Sequence, residues 1–234
     1  MRKIIFYIIC SFFIAAPLLQ TNLIYAGERF KDKPFFKDKP FFKEVENSRK
    51  KGLINLNLDI QLGLGISNTS FDLNKYDSTT QYVNDPGTKL GPSVGAILSV
   101  DFLGFGFTSG VQYTSKGFET ATNKTTALNY FNIPLLFYFD FQIDKVIIDG
   151  NIGPYFGLLL SQKDDSSVVP FKIKNFDLGL TGNIQGAYMF QKHLGALLGV
   201  KYEYGGLNNL GNNEAIKSIR TSTFFIYSGI KFLL

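Results

Sequence analysis

The 234-residue chain has one cysteine, one histidine and no tryptophan. Cys10 lies inside an apolar N-terminal stretch. If that stretch is removed, the mature chain has no thiol for a disulfide or for redox chemistry. A lone histidine, His193, with no mature cysteine excludes the ordinary zinc sites. Past residue 26 no window holds 18 apolar residues, so no membrane-spanning helix is expected. A basic surface for nucleic acid is lacking too. Residues 27–52 hold nine Lys/Arg against five Asp/Glu, a net of +4, whereas residues 53–234 hold 13 against 14, a net of −1. The high pI therefore belongs to the N-terminal segments and gives no evidence for a nucleic-acid partner of the main domain.

Phe (24), Gly (23) and Tyr (12) are plentiful. Residues 1–26 read as a secretory signal: Arg2 and Lys3 precede an apolar run to Leu19, and Tyr25-Ala26-Gly27 offers a small-residue cleavage point. Residues 27–52 read as a basic periplasmic linker. Its tandem repeat, Phe30-Lys31-Asp32-Lys33-Pro34-Phe35 and Phe36-Lys37-Asp38-Lys39-Pro40-Phe41, runs on into Phe42-Lys43-Glu44. Charge and proline oppose a packed ladder there. The segment is a spacer, or a docking element for a periplasmic protein partner through Phe30–Glu44.

The remainder, 53–234, is organised by alternation. From Ile54 to Ile66 every even position is aliphatic and every odd one is Asn, Asp, Gln or Gly. Period two puts all the aliphatics on one face of a strand. Seven more segments repeat the pattern: 93–102, 105–116, 130–141, 146–160, 176–188, 194–204 and 223–233. At about 10–15 residues they are long enough to cross a bilayer, which takes about 9–11 tilted residues. Short connections at 103–104, 142–145 and 190–193 alternate with long polar ones at 67–92, 117–129, 161–175 and 205–222. The expected fold is an all-β, eight-stranded, antiparallel up-and-down transmembrane barrel in the outer membrane, monomeric and surrounded by outer-membrane lipid. An even strand count leaves both termini on the short-turn side, the periplasm.

The apolar faces carry no charge. The opposite faces carry Asp59, Asp101, Lys116, Asp140, Asp149, Asp177, Lys201, Glu203 and Lys231, which are expected to form a packed polar network in the lumen. Asp101, Asp140, Asp149 and Lys231 fall toward the periplasmic end. Lys116, Asp177, Lys201 and Glu203 fall toward the outer end. A soluble lipocalin-like carrier of an apolar ligand inverts the two faces. Against it, the polar face here is rich in Gly, Ser, Thr and Asn and poor in the Lys and Glu of a wetted surface. Tyr113, Tyr130, Tyr188, Tyr202 and Tyr204 lie near strand ends, as in an aromatic girdle.

Tyr130-Phe131-Asn132-Ile133-Pro134-Leu135-Leu136 resembles a strand of the PorT-like outer-membrane β-barrel family. Gly153-Pro154-Tyr155, Asp177-Leu178-Gly179-Leu180 and Leu198-Gly199-Val200-Lys201-Tyr202-Glu203-Tyr204-Gly205 are similar to strands that follow it. The resemblance implies an eight-stranded outer-membrane barrel. One namesake serves a protein-secretion apparatus, so an accessory role in such a machine is the alternative to a binding or display role for the loops.

No catalytic residue, cofactor or metal site is expected. A barrel hydrolase acting on lipid A would need Ser and His at the outer rim, and His193 falls in a short periplasmic turn beside Lys192. Asp164-Asp165 reads as a solvated pair of acids. A pore is disfavoured by Tyr138, Tyr155 and Tyr227 pointing into a narrow lumen. The unboiled protein should fractionate with the outer membrane and migrate differently from the boiled protein on an SDS gel. A soluble periplasmic protein with no such shift would mean that the apolar face points inward.

Overall fold

A computed structural model describes residues 54–73, 86–102, 105–120, 124–164, 173–211 and 216–234. The leader 1–26, the linker 27–52 with its repeat, the turn 103–104, residues 74–85 of the first long connection, and Asp165 lie outside the described residues. The described elements are eight strands: β1 (Asn55–Leu73), β2 (Lys89–Phe102), β3 (Phe105–Glu119), β4 (Thr125–Ile143), β5 (Val146–Asp164), β6 (Phe176–Gln191), β7 (Leu194–Gly205) and β8 (Ile216–Leu233). Each pairs antiparallel with the next, and β8 pairs back onto β1, closing the barrel.

The register sets the tilt. Stepping across paired residues from Leu56 around all eight strands returns to β1 at Ile66, ten residues farther along. With strands about 4.8 Å apart and a rise of about 3.3 Å per residue, that stagger tilts the strands by about 40°. The aliphatics of β1 from Leu56 to Ile66 point outward; Leu62 is 63% and Leu64 is 66% exposed. At this tilt they span about 25 Å along the barrel axis, the height of a lipid-facing belt. Their neighbours Asn57, Asp59 and Gln61 are buried inside the ring.

Six strands run farther toward the long-loop end than their alternation predicts, among them β2, which begins at Lys89 rather than 93. β1 reaches Leu73 rather than 66, β3 reaches Glu119, β4 begins at Thr125, β5 reaches Asp164 and β8 begins at Ile216. The connections expected at 67–92, 117–129, 161–175 and 205–222 are correspondingly shorter. Outside the lipid, outward positions such as Asn68, Ser70 and Asp72 are free to be polar. The hydropathy signal therefore stops while the backbone ladder continues.

A second difference concerns Tyr130. The expected girdle places it at the lipid boundary, but it is fully buried in an inward cluster beside a register shift between Asn129 and Tyr130. Tyr188 and Tyr202 are exposed on the outer wall, and Tyr113 and Tyr204 are half-exposed.

The belt predicts a depth-dependent cost. Leu62→Arg, near mid-belt, should lower the unfolding free energy in lipid vesicles by about 2–4 kcal/mol. Asn68→Arg, above the belt, should cost about 1 kcal/mol or less. Urea titration of the two variants against the parent measures both values.

Candidate functional site

The barrel interior has three layers. At the short-turn end Ile147, Ala187, Met189, Leu197 and Tyr227 pack together with Leu233 against them. At the loop end Phe118, Leu128, Tyr130, Ile173, Leu210, Ile216 and Ile219 form a second apolar cluster, joined by Phe71, Leu73 and Leu159. Here the strand extensions and two connections meet: the Lys174 amide donates to Leu210 O at 3.0 Å and the Leu159 amide to Asn175 O at 2.7 Å. Charged and amide side chains fill the space between. The sequence reading anticipates a polar interior; the structure concentrates the charged groups in the middle and adds an aliphatic and aromatic cluster at each end, beside a polar rim at the turns. Enclosed volume needs filling, and an aliphatic side chain fills it without needing a hydrogen-bond partner.

The lower charged group is built around Lys231 on β8. Its Nζ lies 3.0 Å from Asp59 Oδ1 on β1 and 3.1 Å from Asp149 Oδ2 on β5. Gln185 on β6 bridges the same two acids, donating to Asp59 Oδ2 at 2.6 Å and to Asp149 Oδ2 at 3.2 Å. The Gln185 carbonyl accepts from Tyr227 OH at 3.0 Å and from Gln61 at 3.2 Å. Nearer the turns, Asn55 donates to Asp101 at 3.1 Å and Tyr138 OH to Asp140 at 3.1 Å.

The upper group is built around Glu203 on β7. Its Oε2 lies 2.8 Å from Lys116 Nζ on β3, and its Oε1 lies 2.7 Å from Lys201 Nζ. Lys116 also donates to Tyr155 OH at 2.8 Å and lies 3.6 Å from Asp177. Tyr155 OH donates onward to Asp177 Oδ2 at 2.8 Å. Asp177 Oδ1 accepts from the Gly206 amide at 2.7 Å, which is presented by a backbone with φ of 82° that glycine adopts without strain. Lys116 sits over the Tyr155 ring at 4.5 Å, and Lys201 over Phe225 at 4.2 Å. Tyr155 fits because Gly179 and Gly205 line its berth; a Cβ on either would collide with its ring or hydroxyl.

The nine charged residues singled out in the sequence thus occupy two groups and a lower rim. Lys231, Asp59 and Asp149 meet, as do Lys116, Lys201, Asp177 and Glu203; Asp101 and Asp140 pair with polar neighbours nearer the turns. Sequence reasoning turned Tyr155 into the lumen but gave neither it nor Gln185 a place in the charged network, where Gln185 links Asp59 to Asp149 and Tyr155 links Lys116 to Asp177. Both stand on the inward face of their strands, and that was the available signal. The buried aliphatics were also signalled, by doubled apolar residues: Leu135-Leu136, Ile147-Ile148, Leu197-Leu198 and Phe224-Phe225 each put one side chain in and one out.

Between the two charged groups lies a cavity of about 20 Å³, bordered by Gln61, Ile97, Gln112, Pro134, Thr181 and Lys201. It is about the size of one water molecule. His193 is exposed in the β6–β7 turn, its Nδ1 3.1 Å from Leu233 O. Among the described residues no three of His, Cys, Asp and Glu are placed to hold a metal ion.

Comparison with known proteins agrees with this geometry. Residues 43–212 match the family described as outer membrane protein beta-barrel domain. The crystal structure of the outer membrane protein OprG from Pseudomonas aeruginosa aligns with a TM-score of 0.53 at 10% identity, covering 77% of this chain and 96% of that one. Neisserial surface protein A aligns at 0.42, with 13% identity over 75% and 96% of the two chains. Ail, the attachment invasion locus protein of Yersinia pestis, aligns at 0.37, with 14% identity over 75% and 98%. No curated protein matches the sequence.

Removing the shared carboxylate should be costly. Glu203→Ala strips Lys201 of its only ion-pair partner among the described residues, and should lower the unfolding free energy by about 3–5 kcal/mol. Lys217→Ala breaks only the exposed Lys217–Asp72 pair, 3.3 Å apart, and should cost about 0–1 kcal/mol. Tyrosine fluorescence in a urea series, free of tryptophan background, reads both.

Proposed function

The chain belongs to the outer membrane protein beta-barrel domain family, and from that premise we propose that it is a non-enzymatic scaffold that binds or displays through its long-loop end. It is an outer-membrane protein, held in the bilayer by its apolar belt. The observation that carries the reading is the filled interior. Two apolar clusters and two charged groups occupy the bore, and the cavity that lies between the charged groups is only water-sized, which leaves little room for a solute path there. Charged pairs that tie opposite walls together make a stiff support, and the strand extensions lift the connections clear of the lipid. Loops on a rigid scaffold are where contact surfaces are usually built.

In this reading the short turns and both termini face the periplasm, residues 1–26 are the export signal and residues 27–52 a tether. The nine charged residues named from the sequence serve as structural cross-ties. The side chains support the non-enzymatic assignment: the single histidine stands in a turn at the end opposite the long loops.

A second reading rests on the tandem Phe-Lys-Asp-Lys-Pro-Phe repeat and on the resemblance to PorT-like barrels. The repeat would dock the barrel to a periplasmic component of a secretion machine. Deleting residues 30–44 separates the two: a machine subunit loses function, whereas a loop-based binder keeps it.

Orientation is directly testable, because the mature chain has no cysteine of its own. On intact cells a membrane-impermeant maleimide should label Lys124→Cys and Lys163→Cys, whereas Lys192→Cys should react only after the outer membrane is opened. Labelling of Lys192→Cys on intact cells, or discrete conductance steps in a planar bilayer, would overturn the scaffold reading.

A further inference from the structure

Residues 53–234 contain twelve lysines and a single arginine, Arg220. Arg220 is exposed on the outer wall of β8, at the long-loop end. It lies four residues beyond Phe224, and Phe224 forms the top of the belt there: it pairs with Ile66 on β1 and Tyr202 on β7, all three outward and exposed. Four residues at a tilt of about 40° lift Arg220 about 10 Å beyond Phe224 along the axis. The headgroup layer is about 5–8 Å thick, and the side chain bends back toward it: Arg220 Nη1 donates to Tyr204 OH at 3.3 Å. Tyr204 stands two residues above Tyr202 on β7.

Arg220 has no carboxylate within ion-pair distance among the described residues, unlike neighbouring Lys217, which is paired with Asp72. An exposed guanidinium held by a tyrosine above an aromatic and aliphatic wall has an apolar surface below it and an open fork of donors beside it. That fork matches the oxygens of a phosphate. Lysine is the common cation of this domain, so the one arginine stands where two-point recognition of an anion at fixed depth would be useful.

We propose that Arg220 and Tyr204 form a subsite for the phosphate of an outer-leaflet lipid headgroup, whose acyl chains lie against Tyr202, Phe224 and Ile66. The subsite rests on the orientation given above, since it needs the long-loop end to meet the outer leaflet. Lipid bound there would hold the barrel at a set height and order the base of the β7–β8 connection.

The test uses the full mature chain in nanodiscs of phosphatidylcholine with or without lipid A, with native mass spectrometry counting retained lipid A. The parent should retain lipid A, and Arg220→Gln should lower retention by roughly fivefold. Arg220→Lys, which keeps charge but loses the fork, should fall between them, and Lys217→Gln should match the parent. Equal retention by the parent and Arg220→Gln overturns the proposal, as does a parent that retains no lipid A. Displacement of the lipid by millimolar inorganic phosphate would assign the site to free anions and overturn the lipid assignment. Heat-modified gel mobility confirms that each variant is folded. The nanodisc result does not depend on which way the barrel faces in the cell, so a failure of this subsite is separable from a failure of the orientation, which maleimide labelling reads.

Discussion

The constraint on which this molecule depends is that lipid offers no hydrogen bonds to a backbone. Every amide and carbonyl within the belt must find a partner in the protein, and a sheet meets that demand only by closing on itself. The seam between β1 and β8 is therefore as extensive as any other pairing, running from Asn57↔Leu233 to Leu73↔Ile216. Closure with eight strands and a ten-residue stagger sets the bore, and the bore is narrow enough that side chains must fill it. Large inward groups such as Tyr155 need inward glycines opposite, and the chain supplies them at Gly179 and Gly205.

A filled bore with charges in it must satisfy each of them, since an unpaired buried charge costs several kcal/mol. The structure meets this by spanning the lumen. Lys231 on β8 reaches Asp149 on β5, and Lys116 on β3 reaches Glu203 on β7. Such ties brace strands that share no ladder. Apolar clusters at both ends keep water from the ties, which strengthens each of them and stiffens the wall. A stiff, closed wall that continues beyond the lipid as ladder is well suited to holding loops in place.

Much of this was legible from residue order. Strict alternation from Ile54 to Ile66 told which face of the first strand meets lipid, and the short and long connections told the strand count and which end carries the long connections. The belt needs aliphatic side chains at every second position, so it leaves a plain signal. Above the belt the requirement lapses, and Asn68, Ser70 and Asp72 gave no sign that β1 continues to Leu73. Tyr130 misled for a related reason: an aromatic at a strand end has the same composition whether it faces a lipid headgroup or an interior cluster. The register shift beside it is a backbone irregularity that composition does not show.

By itself the sequence determined the fold class, the lipid-facing surface and the set of charged residues turned inward, because these follow from a period of two and from the cost of charge in hydrocarbon. Only the tertiary structure decided who meets whom. Lys231 and Asp59 are 172 residues apart and Gln185 and Asp59 are 126 apart. Their meeting depends on the stagger of all eight strands, to which every pairing contributes. The grouping of the nine charges, the uncharged hubs Gln185 and Tyr155, and the contact of Arg220 with Tyr204 above the belt became visible only once the ring had closed.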